Sequence, residues 1–341
     1  MKKMSFLKKL FIVVLVMISI DFIVWLVIRP SDYMEVDFDK EFGLHLSSNQ
    51  AGTFSYWPKK EVNGKYTVNN EGWNSVHKTF ENRPNLKTIA IIGDSYVEGR
   101  HINIEESYPV KLESLLNKKE PSIVYPFSCS GWQAAQYLHV LPNIAEKHQP
   151  EVIVINVERN DLIDARYNET SNYGQASFKQ EGEVIELVPP RLYNTPIHKT
   201  VLSKSAIVRA MYSYTPADKK AFSITEQGPI NGLEVRFAEY FYQKIKEYQE
   251  LFECKIIVVI DGDRTQLNEN TELNDSKRNT YNEKLVSLGK RYQIKTLDLD
   301  KVFQSDFKRN KSLLNFESDS HWNEHCHQLV AETVFKLLME D

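Results

Sequence analysis

Cysteine is scarce in this chain, with Cys129, Cys254 and Cys326 the only three among 341 residues. They cannot all pair within one molecule and lie too far apart for metal-ligand spacing, so neither a disulfide framework nor a thiolate metal site is expected. An excess of one charge is also missing. The net charge is −4 with acidic and basic residues interleaved. No patch combines basic with aromatic side chains, so nucleic acid is not expected as a partner. Internal repeats and low-complexity stretches do not occur.

What is present begins with a long apolar run. Lys2, Lys3, Lys8 and Lys9 precede residues 10–28, which carry a single charge, Asp21. The run is long enough for a bilayer and longer than a signal-peptide core. The following Ile28-Arg29-Pro30-Ser31 lacks the small-x-small pattern of a cleavage site. A retained signal anchor is expected, with a basic cytoplasmic tail at 1–9, a transmembrane segment at 10–28 and everything beyond it outside the cytoplasm. Asp21 costs roughly 2.5–3.5 kcal/mol in such a segment. A polytopic membrane partner would relieve it, and so would local water or a shallower position for the helix.

A composition 42% apolar over this length provides ample core. Residues 29–85 read as a linker and a small β-rich lead-in, with turn signals at Asn63-Gly64 and Asn69-Asn70-Glu71-Gly72. From residue 86 to 341 the pattern alternates. Strands are expected at 88–92, 122–126, 152–157, 255–260 and 294–299, and helices at 108–116, 131–147, 233–252, 277–292 and from about 324 to 338. Such alternation predicts an α/β fold, a three-layer α/β/α sandwich on a mainly parallel sheet. Residues 163–230 are polar and proline-bearing, and they read as an insertion beside the site.

The stretch Ile89-Ala90-Ile91-Ile92-Gly93-Asp94-Ser95 is a buried strand ending at a turn that delivers Ser95 to the sheet edge. A serine hydroxyl becomes a nucleophile only with a base in reach and a third group orienting that base. Glu317-Ser318-Asp319-Ser320-His321-Trp322-Asn323 offers both. At a spacing of two in extended chain, Asp319 and His321 point to one side, and Asn323 is a credible cap for the last helix. Acyl transfer also needs donors for the developing oxyanion. The Gly131 N–H and the Asn160 amide, each just past an expected strand, can serve, although each also fits an ordinary turn or cap. Ligands gather at the carboxyl ends of strands in open α/β sheets. His321, His325 and His327 invite a metal reading, but no carboxylate or thiolate pattern completes a known site; no metal or other cofactor is expected. Tyr96, Trp132, Tyr137 and Trp322 suit either a sugar-binding cleft or core packing.

In combination, Gly93-Asp94-Ser95-Tyr96, Gly131, Asn160-Asp161 and Asp319-Ser320-His321-Trp322-Asn323 resemble the blocks of the SGNH, or GDSL-like, hydrolase superfamily over about residues 87–340. The resemblance implies a flavodoxin-like fold with Ser95 as nucleophile and His321 as general base and acid. It implies Asp319 as the orienting acid and an oxyanion hole of Ser95 N–H, Gly131 N–H and the Asn160 side chain. Only Ser320 separates Asp319 from His321, as in a branch with membrane-anchored, polysaccharide-modifying members. Asn70-Glu71-Gly72-Trp73-Asn74 resembles a lead-in of that branch, with Asn74 where arginine is frequent. Tyr96 stands in place of leucine and Cys326 in place of glycine. The expected function is a membrane-anchored extracytoplasmic serine esterase acting on an acylated glycan. The alternatives are an O-acyltransferase with the same first half-reaction and a non-catalytic envelope scaffold.

Overall fold

The computed structural model describes residues 5–58, 60–158, 160–169, 173–214, 232–262, 264 and 275–340. Lys2 and Lys3 of the basic tail, and residues 215–230 of the expected insertion, lie outside them. Helix α1 (Phe6–Ile28) is the one helix among the described residues long and apolar enough to cross a membrane. Two antiparallel hairpins follow: β1 (Val36–Asp39) with β2 (Gly43–Leu46), and β3 (Ala51–Ser55) with β4 (Asn63–Thr67). Asn63-Gly64, expected to turn, instead opens β4. A Cβ on Gly64 would collide with the backbones of Arg100 and Ile102, so this glycine serves close approach of two chain segments.

The α/β part comprises β5 (Lys87–Gly93), α2 (Ser95–Glu98), α3 (Tyr108–Leu116), β6 (Ser122–Ser128), α4 (Ala134–His148), β7 (Val152–Val157) and α5 (Asp161–Asp164). Next come a hairpin of β8 (Ser177–Glu181) and β9 (Val184–Val188), and the short helices α6 (Ile197–Lys204) and α7 (Ala206–Tyr212). The chain finishes with α8 (Gly232–Leu251), β10 (Lys255–Ile260), α9 (Asp275–Tyr292), β11 (Lys295–Asp298), α10 (Asp300–Asn310) and α11 (Glu324–Met339). Five strands form one parallel sheet in the order β11-β10-β7-β5-β6. The expected three-layer α/β/α architecture is what forms. Ala90, Ile92, Ile153 and Ile155 pack on one face beneath α4, α8 and α9. Ile89, Ile91, Val152 and Val154 pack on the other beneath α3, α10 and α11, the period-two split of strands covered on both sides.

Most expected boundaries shift by no more than two residues, as where β6 runs on to Ser128, and one shifts by three. The helix predicted from 131 starts at Ala134, because Gly131 takes φ +84° and turns the chain first. Helix α10 was not announced by periodicity, since Phe303 and Phe307, one turn apart, are its large apolar side chains. The lead-in is joined to the same core, with Phe42, Tyr66, Trp73 and Phe80 packing into it.

Candidate active site

In this strand order the sheet changes direction of growth between β5 and β7, the crevice where open α/β sheets bind ligands. Ser95 leaves the end of β5 there. Gly93 makes the exit possible because a Cβ on it would collide with Val97 of the following turn. Asp94 caps that turn, accepting a hydrogen bond from Tyr96 N at 3.0 Å. Burial pushes the Asp94 carboxyl up to about 8 against this bond, with Glu158 and Asp261 adding to the rise.

The C-terminal block comes to the same edge. His321 Nε2 lies 2.8 Å from Ser95 Oγ, and His321 Nδ1 lies 2.5 Å from Asp319 Oδ1. With the proton on Nδ1 donated to Asp319, the Nε2 lone pair faces the serine hydroxyl, the tautomer a general base requires. The single-residue spacing closes the pair tightly, because the backbone N–H of His321 also donates to Asp319 Oδ1 at 2.8 Å. Burial works against the Asp319 charge, but the hydrogen bond from His321 and its attraction prevail and hold the carboxyl well below the usual carboxylate range.

Gly131 and Asn160 stand just past the ends of β6 and β7, the two strands flanking β5. Three consecutive strand ends therefore carry Ser95 and both expected oxyanion donors. The loop after β6 is held by buried Glu98, which accepts from Ser130 N at 2.7 Å and Ser130 Oγ at 3.0 Å and pairs with Arg100 at 3.2 Å. The loop after β7 is held by buried Asp161, whose Oδ2 accepts from Glu158 N at 2.7 Å and Tyr137 OH at 2.9 Å. Asn74 donates to the Glu98 carbonyl at 2.7 Å and so ties the lead-in to α2.

Several site residues were not legible in the sequence. Tyr56, from the loop after β3, donates its hydroxyl to Asp319 Oδ2 at 2.9 Å. Burial and the Asp319 charge raise the Tyr56 phenol, which keeps it a donor. His101 stacks on His321 with centroids 3.7 Å apart and planes at 16°. Burial pushes the His101 pKa well below its ordinary value, and His321 pushes it the same way, so the stack is neutral on that side. Arg264 grips Asp261 and donates to the Ser320 carbonyl at 3.2 Å, while Asp261 accepts from Trp322 Nε1 at 3.0 Å. This clamp pins both neighbours of His321 to the end of β10. His101 follows Ser95 by six positions but no periodicity marks it, and Tyr56 and Arg264 lie far in sequence from the residues they hold.

The aromatic side chains considered for a sugar cleft are mostly packing. Trp132, Tyr137 and Trp322 are buried, and Tyr96 lies half-buried against His321. Of the three histidines of the C-terminal block, His325 bonds Asp306 at 2.7 Å and His327 Nδ1 accepts from Tyr108 N at 3.1 Å. A different trio, His101, Asp319 and His321, brings ligand atoms within 4.8 Å of one another and could hold a cation. Both ring nitrogens of His321 already face Asp319 and Ser95, so a cation there would displace the relay.

The fold and these side chains define a class: a Ser–His–Asp relay at the switch point of a flavodoxin-like sheet. No protein-family model matches the sequence, and no curated protein matches it. Solved structures do. An acetyl xylan esterase, AlAXEase, is 15% identical with a TM-score of 0.42, over 74% of this chain and 99% of its own. A member of the lipolytic G-D-S-L family from Veillonella parvula is 13% identical with a TM-score of 0.41, over 74% and 98%. The esterase EstA from a Pseudoalteromonas species is 11% identical with a TM-score of 0.39, over 74% and 97%. Likeness this distant leaves the chemical reading to the side-chain geometry of the chain itself.

Proposed function

We propose that this protein is a membrane-anchored, extracytoplasmic serine esterase that removes an acyl group, acetyl in the first instance, from a glycan or similar ester. The observation that carries the reading is the 2.8 Å approach of His321 Nε2 to Ser95 Oγ with Asp319 on the far ring nitrogen. Ser95 Oγ attacks the ester carbonyl carbon as its proton passes to His321 Nε2. The tetrahedral oxyanion is met by the N–H groups of Ser95 and Gly131 and by the Asn160 side chain, each donor worth roughly 3–4 kcal/mol. Collapse breaks the ester C–O bond, and His321 returns the proton to the departing alcohol. Water then gives a proton to His321 and attacks the acyl-enzyme, which releases the carboxylic acid and restores Ser95. Helix α1 supplies the anchor, and the preceding lysines set its orientation.

Ser95→Ala is expected to lower hydrolysis of a small acetyl ester by about 10⁴-fold or more and to abolish labelling by a fluorophosphonate. Full activity and labelling in that variant would falsify the mechanism. Mass measurement of a glycan incubated with an acyl donor separates the fates of the acyl-enzyme. Loss of acyl from the glycan supports hydrolysis, and gain marks an O-acyltransferase.

A further inference from the structure

Asp21 finds its partner within this chain. Its carboxylate accepts hydrogen bonds from Ser205 Oγ at 2.7 Å, Ala206 N at 3.1 Å and Ile207 N at 3.0 Å, and so caps α7. Every residue of α1 from 6 to 20 is exposed, whereas Asp21, Val24 and Ile28, on one helical face, are half-covered. This fixes the level of α7 along the anchor. Residues 10–20 rise only about 16 Å at 1.5 Å per residue, against a hydrocarbon core of about 30 Å. Residues 10–28 rise about 28 Å. A bilayer that accommodates α1 therefore extends past Asp21 to the level of Ile28, where α7 lies alongside.

The chemistry of this segment suits that position. Ile197 and Val201, four apart on α6, and Met211 and Tyr212 at the end of α7 are large apolar side chains left exposed; Ile197 is 85% and Tyr212 78% accessible. The stretch Ile197–Tyr212 carries Lys199, Lys204 and Arg209 and no acidic residue, in a chain whose net charge is −4. Arg209 is held by Asp32 at 2.8 Å, Lys199 donates to the Tyr193 hydroxyl at 2.7 Å, and Lys204, 76% exposed, lies 4.0 Å from Glu35. Exposed apolar side chains in a stretch whose own charges are all basic are the composition of a segment lying in a membrane interface.

We propose that α6 and α7 form an interfacial platform in the outer leaflet of the bilayer that α1 crosses, their apolar side chains among the acyl chains and Lys204 at the headgroups. The proposal rests on the reading of α1 as an anchor. It also sets the height of the catalytic edge. Ser213, directly after α7, accepts from Trp57 N at 2.9 Å, and the adjacent Tyr56 holds Asp319. The platform and the relay are thus joined through two neighbouring residues, and the ester substrate is one met at the membrane surface.

The three native cysteines are buried, so a single introduced cysteine can be labelled selectively in the full-length chain. An environment-sensitive nitrobenzoxadiazole label is placed in Val201→Cys, Met211→Cys, Leu15→Cys within α1, and Lys118→Cys at the opposite end of the sheet. Each protein is reconstituted in phosphatidylcholine–phosphatidylglycerol vesicles with spin-labelled lipid. At positions 201 and 211 the emission is expected to shift to the blue and to be quenched most by a label high on the acyl chain. At 15 a deep label quenches most, and at 118 neither acts. Quenching at 15 but not at 201 and 211 overturns the platform and leaves the anchor standing. No quenching at 15 overturns both. Self-quenching at 211 that rises with protein density marks a second copy on this face and overturns the lipid assignment.

Discussion

The two carboxylate oxygens of Asp319 have separate tasks, Oδ1 taking the imidazole and Oδ2 the Tyr56 hydroxyl. A hydrogen bond to a charged group is worth about 1.5–3 kcal/mol, so Tyr56→Phe is expected to lower kcat about tenfold or more with KM unchanged. Steady-state kinetics on a small ester checks the split. His327 provides a test on stability. Burial, with His321 adding to it, lowers its pKa to about 3 from 6.5, so the unfolded chain takes up this proton first. As pH falls below about 6.5 the folded state loses stability, by about 2 kcal/mol at pH 5 from this residue. His327→Gln, which retains an acceptor for Tyr108 N, should lose less stability than the parent between pH 7 and pH 5 in paired denaturant titrations. An equal loss in both would remove His327 as the source.

Among the elements, the strand-to-helix turns govern the site. Gly131 adopts a left-handed backbone that only glycine takes without strain, and Glu98 of α2 fixes the adjacent Ser130. Glu98→Gln keeps the shape but weakens the bonds to Ser130 and the pairing with Arg100. Its expected effect is a tenfold to hundredfold fall in kcat, smaller than the roughly hundredfold to thousandfold loss on removing an oxyanion donor outright, and circular dichroism should show the fold intact. Most strands and helices were legible because their signals are local. The expectations for 108–116, 152–157 and 255–260 match α3, β7 and β10 to the residue. The turn read at Asn63-Gly64 failed for the opposite reason: its glycine answers to Arg100 and Ile102, some forty residues on, which no local pattern encodes.

Across the whole molecule, four regions meet in two pairs, the members of each pair far apart in sequence. The lead-in reaches the relay through Tyr56, and the described part of the insertion reaches the apolar N-terminal helix through Asp21. Asp21→Leu removes the cap on α7 and is expected to cost about 1–2 kcal/mol, a fall of a few degrees in melting temperature. Small-ester hydrolysis should be retained, and thermal unfolding in detergent beside an activity assay reads both. Sequence alone determined the long apolar N-terminal helix, the βα alternation, Ser95 at a strand end, and Asp319 and His321 at a spacing that lets them pair. Those are properties of residues within a few positions of one another, set by periodicity and turn chemistry. Tertiary structure alone decided the strand order that puts Ser95 between the loops of Gly131 and Asn160. It also decided the stacking of His101, the Arg264–Asp261 clamp, the hold of Tyr56 on Asp319, and the pairing of Asp21 with a helix 185 residues away. These contacts follow from how the layers pack, and the packing of elements distant in sequence leaves no periodic trace in the chain.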